Sequence, residues 1–124
     1  MTRKVAVTGL GIVSPLGCSV DTVWNRLMNG ESGIGPITYF DTTLFDAKIG
    51  GQVKEFDVDA FIPKKEQRRM DPFCHYGIAA AKMAVSDAGL EMGKEDPWRV
   101  GVMVSSGIGG LQVVEVQCNN FLQR

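Results

Sequence analysis

Histidine occurs once in the 124 residues and cysteine three times, and neither stands where catalysis or metal binding would need it. His75 directly follows Cys74, and neighbours on a helix of 3.6 residues per turn point about 100° apart, so the two cannot serve one substrate as thiol and base. His75 reads as structural. Cys18, Cys74 and Cys118 lie far apart and form no CxxC pair, which excludes the close spacing of zinc and redox sites and suits free thiols in a reducing compartment. Charge of one sign is missing too. Thirteen Lys and Arg against fourteen Asp and Glu leave a formal net charge of -1, so no global field draws the chain to nucleic acid or an anionic membrane. Any electrostatic recognition must come from a local cluster. No apolar run approaches the roughly 20 residues of a membrane span. The short run Val5-Ala6-Val7 behind Met1 to Lys4 is not a secretory signal, because Thr8, Gly9, Gly11 and Pro15 interrupt it and no small-x-small cleavage pattern follows. The expectation is a soluble, cytoplasmic protein without metal.

What is present is apolar material at 44%, enough for a core, organised as one domain or one piece of a larger one over residues 1–124. Lys4 to Thr8 is a β-branched apolar run that reads as a buried strand, followed by a Gly/Pro-rich loop through Gly17. From Val20, apolar residues recur at Val20, Val23, Trp24, Leu27 and Met28, the spacing of an amphipathic helix, with Ser19 as its cap and Gly30 closing it. Between Ser32 and Ala60 only Lys48 to Val53 reads as a strand, and the rest as loop. Lys64 to Met70 predicts a short helical turn, after which Asp71 as N-cap and Pro72 at the first position open a longer helix ending near Ala88, before Gly89. Tyr76 to Val85 is almost wholly small or apolar, which predicts a central, buried helix. Arg99 to Ser105 reads as a strand covered on both faces. The last helical segment, Leu111 to Arg124, carries no stop signal, so the chain is expected to be cut short. Alternating strands and helices make the fold α/β.

Three motifs carry chemistry or imitate it. Gly9-Leu10-Gly11 after a strand imitates a dinucleotide-binding turn, but Ser14 stands where the third glycine belongs and Pro15 blocks the run into a helix. A tight structural turn is the better reading. Gly107-Ile108-Gly109-Gly110 lacks the Lys-Ser/Thr of a phosphate-binding loop and reads as a packed turn. Cys18 lies near a helix start, where the dipole favours a thiolate, yet no base stands beside it, so it reads as inert. The charge cluster is Lys64, Lys65, Arg68 and Arg69. In a helical turn the i, i+4 pairs Lys64/Arg68 and Lys65/Arg69 form one basic face, either a solvated one or a dock for an acidic protein.

Taken in order, Val5-Ala6-Val7-Thr8-Gly9-Leu10-Gly11, Ser14-Pro15-Leu16-Gly17, Trp24, Gly30-Glu31-Ser32-Gly33-Ile34, Phe40-Asp41, Lys65-Glu66-Gln67-Arg68-Arg69-Met70-Asp71, the Ala-rich helix and Ser105-Ser106-Gly107-Ile108-Gly109-Gly110 resemble the β-ketoacyl-[acyl carrier protein] synthases, above all the elongating type II group. The resemblance covers the whole chain. It implies the leading segment of the N-terminal half of a thiolase-like α/β fold, a mixed sheet with a buried central helix. The implied enzyme is a homodimeric acyltransferase of fatty acid synthesis that performs a decarboxylating Claisen condensation. It needs no cofactor, since its substrates ride on the phosphopantetheine of acyl carrier protein. Lys64, Lys65, Arg68 and Arg69 match the family's carrier-docking surface, and Ile108 matches its acyl-pocket position. The family's catalytic cysteine and two histidines would fall beyond Arg124, so the isolated chain is expected to be inactive. The alternative is a non-catalytic, chain-length-factor type partner that binds carrier protein without the nucleophile.

Overall fold

The computed structural model describes residues 2–123. The elements run α1 (Val20–Met28), β1 (Ile34–Pro36), β2 (Ile49–Gly51), α2 (Lys64–Gln67), α3 (Pro72–Asp87), a 3-10 turn at Pro97–Arg99 and α4 (Leu111–Leu122). Helix α1 starts where its cap was expected: Ser19 Oγ accepts from the Thr22 amide at 3.2 Å, which satisfies one of the helix's free donors. It ends before Gly30, whose φ of +71° reverses the chain without a Cβ penalty. Val23 is its buried residue.

The two strands pair antiparallel with Ile34 opposite Gly51, Gly35 opposite Gly50 and Pro36 opposite Ile49. The expected strand at 48–53 is therefore shorter, and its partner lies in what reads from sequence as loop. Glycine on both sides lets Pro15 lie against this ribbon, since a Cβ on Gly33 would stand 2.8 Å from Pro15 Cβ and one on Gly51 2.9 Å from Pro15 Cγ. Past the strand ends the pairing continues through Ile37 N to Lys48 O at 3.0 Å, and Gln52 accepts from the Thr38 amide at 3.0 Å.

Two expected strands are corrected. Lys4 to Thr8 and Arg99 to Ser105 pair with nothing among the described residues. A strand exists only with a neighbour to take its amides and carbonyls, and Val5 (94% exposed), Val102 (85%) and Met103 (95%) lie open. Their apolar sequence, read as burial on both faces, is met here by solvent.

Helix α3 lies where it was expected, from Pro72 at the first position to a close before Gly89, φ +63°. Its packing explains both the Gly-x-Gly and the alanines. A Cβ on Gly11 would stand 2.7 Å from Ala84 N and 2.9 Å from Met83 Cβ, and one on Gly9 would stand 2.6 Å from Ala88 N. Residues 9–11 thus lie directly on the α3 backbone, tied by the Leu10 amide donating to Asp87 Oδ2 at 2.8 Å. The pair is a close-packing contact rather than the tight turn expected. Burial of α3 is partial, however: Ala79 is fully buried, while Phe73 is 40% exposed.

Val23, Ile62 and Ala79 are the buried apolar residues. A satellite cluster, with Phe56 stacked on Phe61 at 6.0 Å and edge-on to Tyr76 at 5.3 Å, fastens residues 56–62 to α3. That fastening positions α2. The accessible surface is 10683 Å², whereas a compact chain of 13.5 kDa exposes about 6,500 Å². Much apolar surface lies within that excess, including Val5 and Val7 of the first extended segment, Val102 and Met103 of the second, and Phe121 and Leu122 of α4.

Candidate functional site

The basic cluster stands on a turn held from beneath. Pro63 opens α2, and the Glu66 and Gln67 amides donate to Pro63 O at 2.8 and 3.2 Å. Arg69 N to Glu66 O at 3.0 Å and Met70 N to Gln67 O at 3.1 Å then carry the coil past the helix end in the tighter i to i+3 pattern. Ile62 beside it is 2% exposed and anchors the turn in the core. Gln67 fastens it twice more: its Nε2 donates to Asp59 Oδ1 at 2.8 Å and to Ile62 O at 2.7 Å. His75 Nε2 lies 3.3 Å from Gln67 O, so the ring donates to that carbonyl and serves as a strut between α3 and the turn.

Lys64, Lys65, Arg68 and Arg69 are all exposed, as a docking surface requires. They are not equivalent. Lys64 Nζ lies 3.1 Å from Asp59 Oδ2, while Lys65, Arg68 and Arg69 make no ion pair among the described residues. The Gln67 amide and then Lys64 hold the Asp59 carboxyl below its usual range. Asp59 and Gln67 were not singled out from the sequence, because an acid and an amide eight residues apart across a Pro-containing turn follow no periodic rule.

Ile108 stands 77% exposed in the Gly-rich turn that leads into α4. Ser106 Oγ accepts from Gly109 N at 3.0 Å, and Gly109 has φ +81°. A Cβ on Gly110 would collide with the Asp71 carboxylate. Asp71 caps α3 by position only, with no side-chain capping bond; its carboxylate faces the Gly-rich turn instead. A fixed negative charge there repels phosphate; of these glycines Gly110 is the close-packed one, Gly109 serves the positive φ, and a Cβ on Gly107 would meet nothing within 4 Å. Next to this turn, Phe73, Gly77 and Ile78 of α3 face Val102 and Val104 across an open apolar groove of about 620 Å³. Ile108 lies beyond its rim, outside the lining.

The cysteines are Cys18, Cys74 and Cys118. All three are free thiols. Burial, the largest influence, pushes the Cys18 thiol up, the reverse of what activation at a helix start would do. The nearby Arg26 guanidinium is engaged by Leu16 O at 2.6 Å and Glu31 at 3.6 Å. Among the described residues no helix is long and apolar enough to cross a membrane, and no three His, Cys, Asp or Glu side chains gather as a metal site.

Comparison with known proteins gives one consistent result. Over 113 residues the chain is 48% identical to the 3-oxoacyl-[acyl-carrier-protein] synthase 2 of Vibrio cholerae, covering 91% of this chain and 27% of that protein. Its fold superposes on the ishigamide ketosynthase/chain length factor with a TM-score of 0.79 at 30% identity, over 99% of this chain and 30% of the other. It superposes on the AntDE:AntF assembly, a type II polyketide acyl-carrier protein in complex with its ketosynthase, with a TM-score of 0.72 at 27% identity, covering 98% of this chain and 33% of the other. The chain thus spans about a third or less of the length of the proteins it matches. Residues 2–121 match the family model of the beta-ketoacyl synthase N-terminal domain, and the chain belongs to that family.

Proposed function

We propose that this chain supplies the carrier-docking face and part of the acyl-binding wall of a β-ketoacyl-[acyl carrier protein] synthase of the elongating type, an acyltransferase of fatty acid biosynthesis. In that reaction a cysteine thiolate takes the acyl group from its carrier, two histidines assist loss of CO₂ from malonyl-carrier, and the resulting carbanion equivalent attacks the acyl thioester. Cys18, Cys74, Cys118 and His75 have no part in it. The chain's share is recognition. The observation that carries the reading is the exposed basic turn at residues 64–69, pinned by Gln67 on a chain whose net charge is only -1. Such a local positive patch steers and orients an acidic carrier. Support for a carrier partner comes from the AntDE:AntF assembly, in which an acyl-carrier protein is in complex with its ketosynthase. Ile108 then sets the acyl length accepted, and the enzyme works as a cytoplasmic homodimer with substrates held on phosphopantetheine.

A chain-length-factor role is the second reading, suggested by the superposition on the ishigamide pair. Identity of 48% to a 3-oxoacyl-[acyl-carrier-protein] synthase 2 over 91% of this chain favours the enzyme. The test is charge reversal in the protein at its natural length. Lys65→Glu with Arg68→Glu should weaken acyl carrier protein binding by about tenfold at low ionic strength. The loss should shrink toward 1 M salt, where the Debye length falls to about 3 Å. Unchanged affinity at low salt would leave the cluster a solvated face.

A further inference from the structure

We propose that Asp59 masks Lys64, so that the docking face consists of Lys65, Arg68 and Arg69 and Asp59 acts as its positioning and charge-setting residue; this rests on the docking reading above. Sequence spacing places all four cations in one face. The contacts divide them. Asp59 uses its two carboxylate oxygens differently, Oδ2 toward Lys64 Nζ at 3.1 Å and Oδ1 as acceptor for Gln67 Nε2 at 2.8 Å. It is itself held in place, with its amide donating to Asp57 Oδ1 at 3.0 Å and the following residues wound back by Phe61 N and Ile62 N, each 3.0 Å from Val58 O. Because Ile62 is buried and its carbonyl takes the second Gln67 hydrogen bond at 2.7 Å, the carboxylate stays at the base of the basic turn.

Two consequences follow for an acidic partner. The Asp59 carboxylate lies against Lys64 and, together with the exposed Glu66 of the same turn, cancels part of the cations' field. Lys64 also shares its ammonium with Asp59, so its pull on any other acid is partly cancelled and it contributes least. Replacing Asp59 by Asn keeps an acceptor for Gln67 Nε2 while removing the charge. The predicted change therefore has the opposite sign to structural damage: binding strengthens.

The experiment compares wild type, Asp59→Asn, Lys64→Met, Lys65→Met and the double variant Asp59→Asn with Lys64→Met, all at natural length. Affinity for acyl carrier protein is measured at low ionic strength, alongside the salt needed to elute each variant from heparin, a generic polyanion. Asp59→Asn should tighten carrier binding by about two- to fivefold, the scale of an exposed charge pair, and elute from heparin later. Lys64→Met alone should change carrier affinity less than Lys65→Met does, and in the double variant the part of the gain contributed by the freed Lys64 should disappear. Equal or weaker binding by Asp59→Asn with an unchanged thermal midpoint overturns the proposal, as does a Lys64→Met loss equal to that of Lys65→Met. Should wild type fail to bind carrier at any salt, the docking reading falls. The heparin comparison still decides the masking, since Asp59→Asn eluting with wild type would refute it.

Discussion

Gly11→Ala tests the central packing contact of the fold. The added methyl would stand 2.7 Å from Ala84 N and 2.9 Å from Met83 Cβ, against an ordinary contact of about 3.5 to 4.0 Å. Residues 9–11 must then lift off α3 by about 1 Å. That displacement stretches the 2.8 Å bond from Leu10 N to Asp87 Oδ2 beyond useful range. Overpacking costs about 1 to 3 kcal/mol and the lost hydrogen bond about 1 kcal/mol. The smaller entropy of the unfolded alanine variant returns about 0.4 to 1 kcal/mol. A net loss of about 1 to 3.5 kcal/mol remains, which at a urea slope of about 2 kcal/mol/M lowers the midpoint by about 0.5 to 1.8 M. Urea unfolding followed by circular dichroism reads this directly. Gly35→Ala is the control, because nothing lies within 4 Å of its new Cβ, and its midpoint should barely move. Since the obstacle at Gly11 is backbone, adding Ala84→Gly should not rescue it. Equal midpoints for Gly11→Ala and Gly35→Ala would refute the close contact and restore a simple turn at Gly9-Leu10-Gly11.

Three further outcomes are expected. Ile108→Phe in the protein at natural length should shift the product profile toward shorter acyl chains; an unaltered profile removes Ile108 from the acyl pocket. Cys118, exposed on α4, should react with a thiol reagent at neutral pH faster than Cys18, whose partly buried thiol is pushed up by desolvation. Raising the pH above the usual thiol range should then accelerate Cys18, and a Cys18 that already reacts fastest at neutral pH would contradict that desolvation. Ser19→Ala should cost about 1 kcal/mol through loss of the bond to the Thr22 amide, read as a lower thermal midpoint; Ser19→Asp should retain most of it.

The helices were legible because their signals are local. Ser19, the apolar spacing from Val20 to Met28 and Gly30 define α1 within a dozen neighbouring positions, and Pro72 with Gly89 bracket α3 in the same way. Strand β1 was not legible. Ile34-Gly35-Pro36 has neither alternation nor β-branched enrichment, and it is a strand because it pairs with residues 49–51, a contact that no local signal announces. The basic turn was legible as a cluster of like charge, but its inequality was not. Lys64 differs from Lys65 through Asp59, and that contact depends on how residues 57–62 are wound rather than on any spacing along the chain.

The failed expectations share one cause. Residues 4–8, residues 99–105 and most of the circumference of α3 read as buried from composition, yet Val5, Val7, Val102, Met103 and Val104 lie open and α3 is only partly covered. Apolar sequence records what the whole folded protein must cover, whereas exposure records what these residues cover among themselves. The gap between 10683 Å² and about 6,500 Å² for a compact chain of this mass is the measure of that difference. It is too large for loose loops alone, because it includes two apolar extended segments with free hydrogen-bonding edges, a costly thing to leave unpaired. The basic turn is the exception to this pattern. Its surface is exposed by charge rather than for want of a cover, and its anchors, Ile62, Gln67 and His75, are already engaged within the described residues. The basic turn is therefore a surface that this segment holds in shape with its own side chains, which is what the proposed docking role requires.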